Sequence, residues 1–228
     1  MAKKTPVYDD SSITMLKGAD RVRKRPAVIF GSDGLEGCEH SVFEILSNSV
    51  DEAKEGYGTK INVTAYRDGS IRIEDFGRGV PLDYNEKEKK YNWELVNCEL
   101  YAGGKYSNNS AENANYKYSL GLNGLGAAST QYSSEYMKVQ SYRRAEMLEM
   151  NFKKGKPDGE LIRTPVTSRK LQRTGTIVLW KPDIEVFTSI DIPREYYETV
   201  LERQSIVNAG LRFFFRWENE DGTFWEKE

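Results

Sequence analysis

The amino-acid sequence predicts an α+β fold, a two-layer sandwich with helices on one face of a mixed, mostly antiparallel sheet. Three features predict it. Apolar residues at helical spacing run through 37–55. A strand–turn–strand pattern centred on Asp68-Gly69 follows at 60–75. Alternating runs then crowd the C-terminal half, at 136–142, 146–152, 159–164, 174–182 and 211–217.

Taken in order, residues 1–13 are polar and without periodicity, so they are expected to form an arm ahead of one domain at 14–228. Residues 14–24 carry a short helix pattern that Pro26 should stop. The helix at 37–55 should end near Gly56 or Gly58. In the hairpin, Ile61, Val63 and Ala65 alternate with polar residues, as do Ile71 and Ile73. Residues 83–101 should be helical in their second half, from Trp93 to Tyr101, and the charged run 85–90 reads as solvated surface. From Gly103 to Gly126 the chain is rich in Gly and Asn and poor in aliphatics. A stretch of that kind inside a compact domain is usually a lid or a binding loop. A helix should follow at 127–134, then the strands, then a helix at 191–210 with Pro193 early and Gly210 beyond its end. The sequence stops on another strand pattern, 224–228, which points to a piece of a longer protein.

The totals exclude several classes. With 228 residues, 38% apolar and 30% charged, the chain has the make-up of a soluble globular domain with a real core. A net charge of −2 gives no global basic field for nucleic acid. Two cysteines, Cys38 and Cys98, without a CxxC spacing fit a reducing compartment and argue against a disulfide. A single histidine, His40, argues against a zinc site or a His-based triad, and it reads simply as a helix-start residue. The N-terminus lacks an apolar signal core, and no apolar run approaches the roughly 18 residues of a membrane span, so the expected place is the cytoplasm.

Four constellations could carry chemistry. In the 37–55 helix, Val42, Leu46, Val50 and Ala53 share one side, and Glu44, Asn48, Asp51 and Glu52 share the other. Any amphipathic helix has a polar face, so a solvated surface is the plain alternative. A carboxylate one turn before an amide oxygen would also suit an oriented water at Glu44 beside a magnesium ligand at Asn48, because magnesium takes few protein oxygens. The second element, Asp75-x-Gly77-x-Gly79, follows a strand. An Asp there can accept from an exocyclic amine such as that of adenine, and the glycines leave room for a flat ring. The third is Gly121, Gly124 and Gly126 just before a helix, where backbone N–H groups suit an anion, with Lys105 and Lys117 able to add charge. The fourth, Thr174-Gly175-Thr176, opens a strand and means little alone. A Rossmann or P-loop reading fails: the spacing is GxxGxG, no strand directly precedes Gly121, and GxxxxGK[ST] does not occur.

The order of these four elements resembles the GHKL ATPases, which have the Bergerat ATP-binding fold. Over nearly the whole chain, from about Tyr8, the stretches YDDSSITMLKGADRVRKRPAVIFG, YAGGKY, YKYS and WKPDIEVF are similar to the ATPase subunits of bacterial type II topoisomerases, gyrase B and its topoisomerase IV counterpart. The resemblance implies an ATP- and Mg2+-dependent ATPase domain. Glu44 would be the general base and Asn48 the metal ligand, with Asp51 and Glu52 the acidic residues beside them, Glu52 facing Arg78. Asp75 would bind adenine with Thr176, and Gly79, Val80 and Pro81 would line the pocket. Gly104, Lys105 and Leu122, Asn123, Gly124, Leu125 and Gly126 would hold the phosphates, and Tyr116 the ribose. Tyr8 and Ile13 would cross to a second copy when ATP closes a homodimer gate. Arg143 would edge the pocket where coumarin inhibitors bind. Implied partners are a gyrase A-type subunit and DNA, met through other domains of a longer subunit.

The chain departs from the family pattern in places. Asn123 stands where many gyrases have His, residues 107–115 run longer than usual, and Ser49 stands where Ala is common, a change expected to be harmless. Gyrase and topoisomerase IV both stay open. So does a binding module with little turnover of its own, since the family's catalytic lysine comes from a region beyond residue 228. A histidine kinase would need an upstream phospho-acceptor helix, and His40 is in the wrong place for one.

Overall fold

A computed structural model describes residues 14–102, 124–167 and 173–228. The N-terminal part holds two short helices, α1 (Asp20–Arg23) and α2 (Pro26–Phe30), then the long α3 (Leu35–Lys54). The hairpin β1 (Lys60–Ala65) and β2 (Ile71–Asp75) follows, then a small hairpin β3 (Tyr84–Asn85) and β4 (Lys90–Tyr91), then α4 (Asn92–Cys98) and α5 (Gly126–Tyr132). The remainder is β5 (Ser134–Arg143), β6 (Glu146–Lys153), β7 (Lys156–Pro157), β8 (Ile162–Pro165), β9 (Gly175–Pro182), α6 (Arg194–Val207), β10 (Arg212–Glu218) and β11 (Phe224–Lys227).

Among the described residues the main sheet runs β11-β10-β1-β2-β9-β5-β6-β7, with β8 also on β6. β1 and β10 are parallel and the other pairs antiparallel, as expected for a mixed sheet. Strand alternation sorts the faces. Phe215, Val63, Ile73, Val178, Val139 and Met150 form one row straight across β10, β1, β2, β9, β5 and β6. They join Val42, Leu46 and Val50 of α3 in a single core. The opposite face of the same strands carries Asn62, Glu74, Gln140 and Glu149, which bond sideways to one another: Asn62 donates to Glu74 at 3.1 Å and Gln140 to Glu149 at 2.7 Å. The register also places Asp75 opposite Ile61 on the inner, helix-covered face. A strand position that would ordinarily hold an aliphatic holds a carboxylate.

The structure differs from the sequence expectations in five places. Pro26 does more than stop a helix: it is the first residue of α2, where its missing N–H costs nothing. The helix expected over 93–101 ends at Cys98, before the left-handed Tyr101. The charged run at 85–90 is exposed as expected, but it is the turn of the β3–β4 hairpin. The strand read at 159–164 starts only at Ile162, and β7 is a pairing too short to show a pattern. Asp51, expected on the polar face of α3, is buried at 3% exposure.

One ion pair ties the N-terminal helices to the sheet. Arg23 of α1 reaches Asp183, at the exit of β9, at 2.7 Å and donates to the carbonyl of Tyr132 at the end of α5 at 3.1 Å. Asp183 is 3% exposed and its backbone N–H bonds the carbonyl of Ser133. Arg23 also reaches the exposed Glu185 at 3.2 Å, so losing Asp183 removes its buried partner and leaves it the exposed one. Asp183→Ala is expected to lower the unfolding free energy by about 2 kcal/mol, read as a lower midpoint in urea denaturation; an unshifted midpoint would show the pair to be incidental.

Candidate functional site

The site begins with Asp75, at the inward end of β2 and 7% exposed. Its Oδ1 accepts from the backbone N–H of Gly77 at 3.0 Å and of Thr176 at 3.1 Å, and its Oδ2 from the hydroxyl of Ser49 on α3 at 3.3 Å. Burial pushes the carboxyl above its usual range and nearby Glu52 adds to this, while the three donors pull the other way. Gly175 makes the close approach of β9 possible: its φ is +135°, and a Cβ there would collide with the carbonyl of Asp75. Thr176 Oγ1 accepts from the N–H of Val80 at 3.0 Å, and the same hydroxyl still has its proton to donate. An acceptor beside a donor suits a planar amidine edge, an amine next to a ring nitrogen.

The rim lies outward of this point. The Arg78 guanidinium makes two parallel bonds to Glu52, each 2.8 Å, and a third to Glu55 at 2.6 Å, and it lies 3.8 Å from the ring centroid of Tyr57. Glu52 also accepts from the backbone N–H of Arg78. Gly79 packs on Tyr142 and Arg143, Val80 packs on the core, and Pro81 is exposed. A cavity of about 440 Å³ opens here, lined in part by Tyr57, Gly77, Arg78, Arg143, Arg144 and Thr174. Neither Asp75 nor Asn48 belongs to its lining; the cavity adjoins the turn after Asp75 at Phe76 and Gly77.

The other end of the site is built on the middle of α3. Glu44 is half-buried and Asn48, one turn on, is exposed. Glu44 Oε1 lies 3.1 Å from Nε2 of His40, whose Nδ1 is 3.2 Å from the carbonyl of Phe30. Glu44 also lies against the start of α5: any Cβ on Gly126 would collide with its Oε2. Gly124 and Leu125 precede that helix, and the carbonyl of Gly124 accepts from the N–H of Tyr101 at 3.0 Å. Glu44, Asn48, Glu52, Asp75, Arg78, Thr176 and Gly126 are therefore all on α3 or on the segments packed against its polar side. Tyr8 and Ile13 of the arm, and Gly104, Lys105, Tyr116, Lys117, Gly121, Leu122 and Asn123, lie outside the described residues.

Two residues carry contacts that their sequence positions did not single out. His40 read as a helix-start residue, yet it is bonded to Glu44; the i,i+4 spacing was the available signal. Ser49 read as a harmless change, yet its hydroxyl touches Asp75, a contact between α3 and β2 with no local signature. Both cysteines are free, as expected; Cys38 is buried and Cys98 half-buried, and burial pushes each thiol up to about 12. No helix among the described residues is long and apolar enough to cross a membrane.

Comparison with known proteins adds the lineage. No family model matches. The chain is 37% identical over 206 residues to the DNA gyrase B protein of Micrococcus luteus, covering 90% of this chain and 27% of that protein. It is 42% identical over 183 residues to the DNA topoisomerase 4 B protein of Staphylococcus epidermidis, covering 80% of this chain and 26% of that one. The crystal structure of the 43K ATPase domain of Thermus thermophilus gyrase B, in complex with an aminocoumarin, superposes with a TM-score of 0.74 at 30% identity, over 91% of this chain and 50% of that one. The α+β sandwich is thus of the GHKL ATPase class. Within that class the chain is a homologue of the ATPase region of the gyrase B and topoisomerase IV B proteins of bacteria, and it spans between a quarter and a third of the length of the curated relatives named here.

The His40–Glu44 contact has a direct readout, because the chain contains one histidine. The bond to Glu44 raises the imidazole pKa above its ordinary value, with the Phe30 carbonyl assisting and burial opposing. A raised value means that the pair stabilises the fold below about pH 6.5 and that this contribution is lost as the pH rises through the folded-state value. Glu44→Gln is expected to move the His40 titration in ¹H–¹³C NMR of untagged protein down toward that ordinary value; an unmoved curve would mean the two side chains do not interact in solution.

Proposed function

We propose that this chain binds ATP with Mg2+ and hydrolyses it as the ATPase domain, over 14–228, of a longer type II topoisomerase polypeptide. The observation that carries the reading is Asp75: a buried carboxylate with room for another donor, beside a Thr176 hydroxyl still able to donate. Adenine presents the complementary edge, its 6-amino group to Asp75 and its N1 to Thr176.

The remaining roles follow from placement. Glu44 takes the proton of the attacking water, with His40 fixing one carboxylate oxygen. Magnesium can rest on the amide oxygen of the exposed Asn48, on phosphate and on water. When bound, the cation neutralises charge developing on the phosphates. Gly124, Leu125 and Gly126, adjoining Glu44, belong to the phosphate end, together with Gly104, Lys105, Leu122 and Asn123; Tyr116 reaches the ribose. Gly79, Val80 and Pro81 border the base, and Glu52 holds Arg78 at its rim. Arg143, lining the neighbouring cavity, is where a coumarin-type inhibitor would make contact. In the full-length protein ATP would close a homodimer through Tyr8 and Ile13, and DNA and a gyrase A-type subunit would be met elsewhere, in the cytoplasm.

A non-hydrolysable ATP analogue with magnesium is expected to raise the melting temperature of the chain, as ligand linkage requires. Asp75→Asn should abolish that rise without lowering the melting temperature of the unliganded protein, because it removes a buried charge and keeps an acceptor for Gly77 and Thr176. A retained rise would contradict the adenine role. Glu44→Ala should preserve the analogue-induced rise while lowering kcat of the full-length protein by roughly 10²- to 10⁴-fold in a steady-state ATPase assay; full activity in that variant would remove Glu44 from the chemistry.

A further inference from the structure

An ionised carboxylate has about four acceptor positions. At Asp75 the two on Oδ1 are taken by Gly77 and Thr176, and one on Oδ2 is taken by Ser49. Ser49 itself is 5% exposed, on the buried side of α3, so its hydroxyl has no bulk water to turn to. At 3.3 Å its bond to the carboxylate is long for a hydroxyl–carboxylate pair, but it is sheltered from solvent. Alanine at this position would leave Oδ2 two open positions and would remove the only side-chain donor among the three; the other two are backbone N–H groups fixed by the chain.

We propose, on the reading of the site given above, that Ser49 is a specificity-determining positioning residue. Its hydroxyl holds Asp75 as a pure acceptor with one remaining direction, so that the site takes purines bearing a 6-amino group and rejects those bearing a 6-oxo group.

The alternative state of Asp75 decides the matter. Burial and the nearby Glu52 both favour the neutral acid. A neutral carboxyl carries an O–H, and an O–H can donate to a 6-oxo purine as well as accept from a 6-amino one. Anything that favours the ionised form therefore sharpens the choice between the two bases, and anything that fixes the rotation of the carboxylate sharpens it again. Ser49 does both through one bond. The backbone donors on Oδ1 cannot replace it, because they leave Oδ2 unconstrained on the side facing α3. A site that hydrogen-bonds one partner discriminates strongly against an analogue that leaves its polar groups mismatched.

The test is calorimetric titration of the wild-type chain, Ser49→Ala and Ser49→Cys with ADP and with IDP in the presence of magnesium, reading the ratio of the two Kd values. Wild type should favour ADP. Ser49→Ala should reduce that preference by about tenfold, mainly by weakening ADP. Ser49→Cys keeps the side-chain shape at a slightly larger volume but offers only a weak donor, and it should also lose most of the preference. A Ser49→Ala protein that binds both nucleotides more weakly by the same factor, or a Ser49→Cys protein with the wild-type ratio, would show that Ser49 only fills space and would overturn the inference while leaving the adenine reading intact. Failure of wild type to bind either nucleotide would overturn the adenine reading itself.

Discussion

The buried carboxylate of Asp75 is the constraint around which this fold is arranged. An ionised group at 7% exposure costs several kcal/mol unless hydrogen bonds replace the water it has lost. Those bonds come from three elements: Ser49 of α3, Gly77 of the turn after β2, and Thr176 of β9. Each lowers the cost of holding the charge there. The requirement fixes how α3 lies on the sheet and how closely β9 approaches β2. It also explains Gly175, the residue whose missing Cβ lets β9 come against the Asp75 carbonyl. The Asp75 turn is therefore a packing element in its own right, and in the proposed function a donor-bearing ligand would complete a set of acceptors the protein fills only in part.

α3 then distributes the site along its length. Glu52 and Ser49 serve the Asp75 end, and Glu44 with His40 serves the other, eight residues or about 12 Å away along the axis. A rigid helix sets that separation more reliably than loops could. The two ends differ in polarity. At the Asp75 end Asp75 and Ser49 are buried and bonded to each other, with Glu52 and Arg78 at the rim; at the Glu44 end Asn48 is exposed and Glu44 half-buried. That gradient suits a ligand with a flat, partly apolar head and a strongly hydrated tail.

How much of this was legible from the sequence follows from the range of each interaction. The hairpin at 60–75 and the Asp75-x-Gly77-x-Gly79 turn were readable because period-2 alternation and turn residues are local signals. The polar side of α3 was readable as a pattern, but the pattern mixed residues with different fates. Glu44 and Glu52 make the contacts that matter, while Asp51 points into the protein. Helical spacing assigns a direction around an axis and says nothing about what packs there. Ser49 was missed for the same reason, since its partner is 26 residues away on β2. His40 was misread although its i,i+4 spacing to Glu44 was visible; the helix-start reading took account of position and not of the neighbour one turn on.

The contact between Glu44 and Gly126 carries the argument one step further. α5 is only seven residues long, so its own hydrogen bonds hold it weakly and tertiary contacts must place it. At its far end Arg23 bonds the Tyr132 carbonyl, and the Tyr132 hydroxyl bonds the carbonyl of Cys98 on α4; in its middle Thr130 bonds the Ser41 carbonyl on α3. Its first residue touches Glu44 so closely that no side chain fits between them. A short helix pinned at several points transmits displacement as a unit, because its packed contacts leave no slack to absorb it. The carboxylate at Glu44 is thus held between His40 within its own helix and Gly126 across the interface, and both its oxygens are constrained by the fold before any ligand arrives. In the role proposed for Glu44, preorganisation of that kind would let the carboxylate meet a water without reorienting at the moment of reaction.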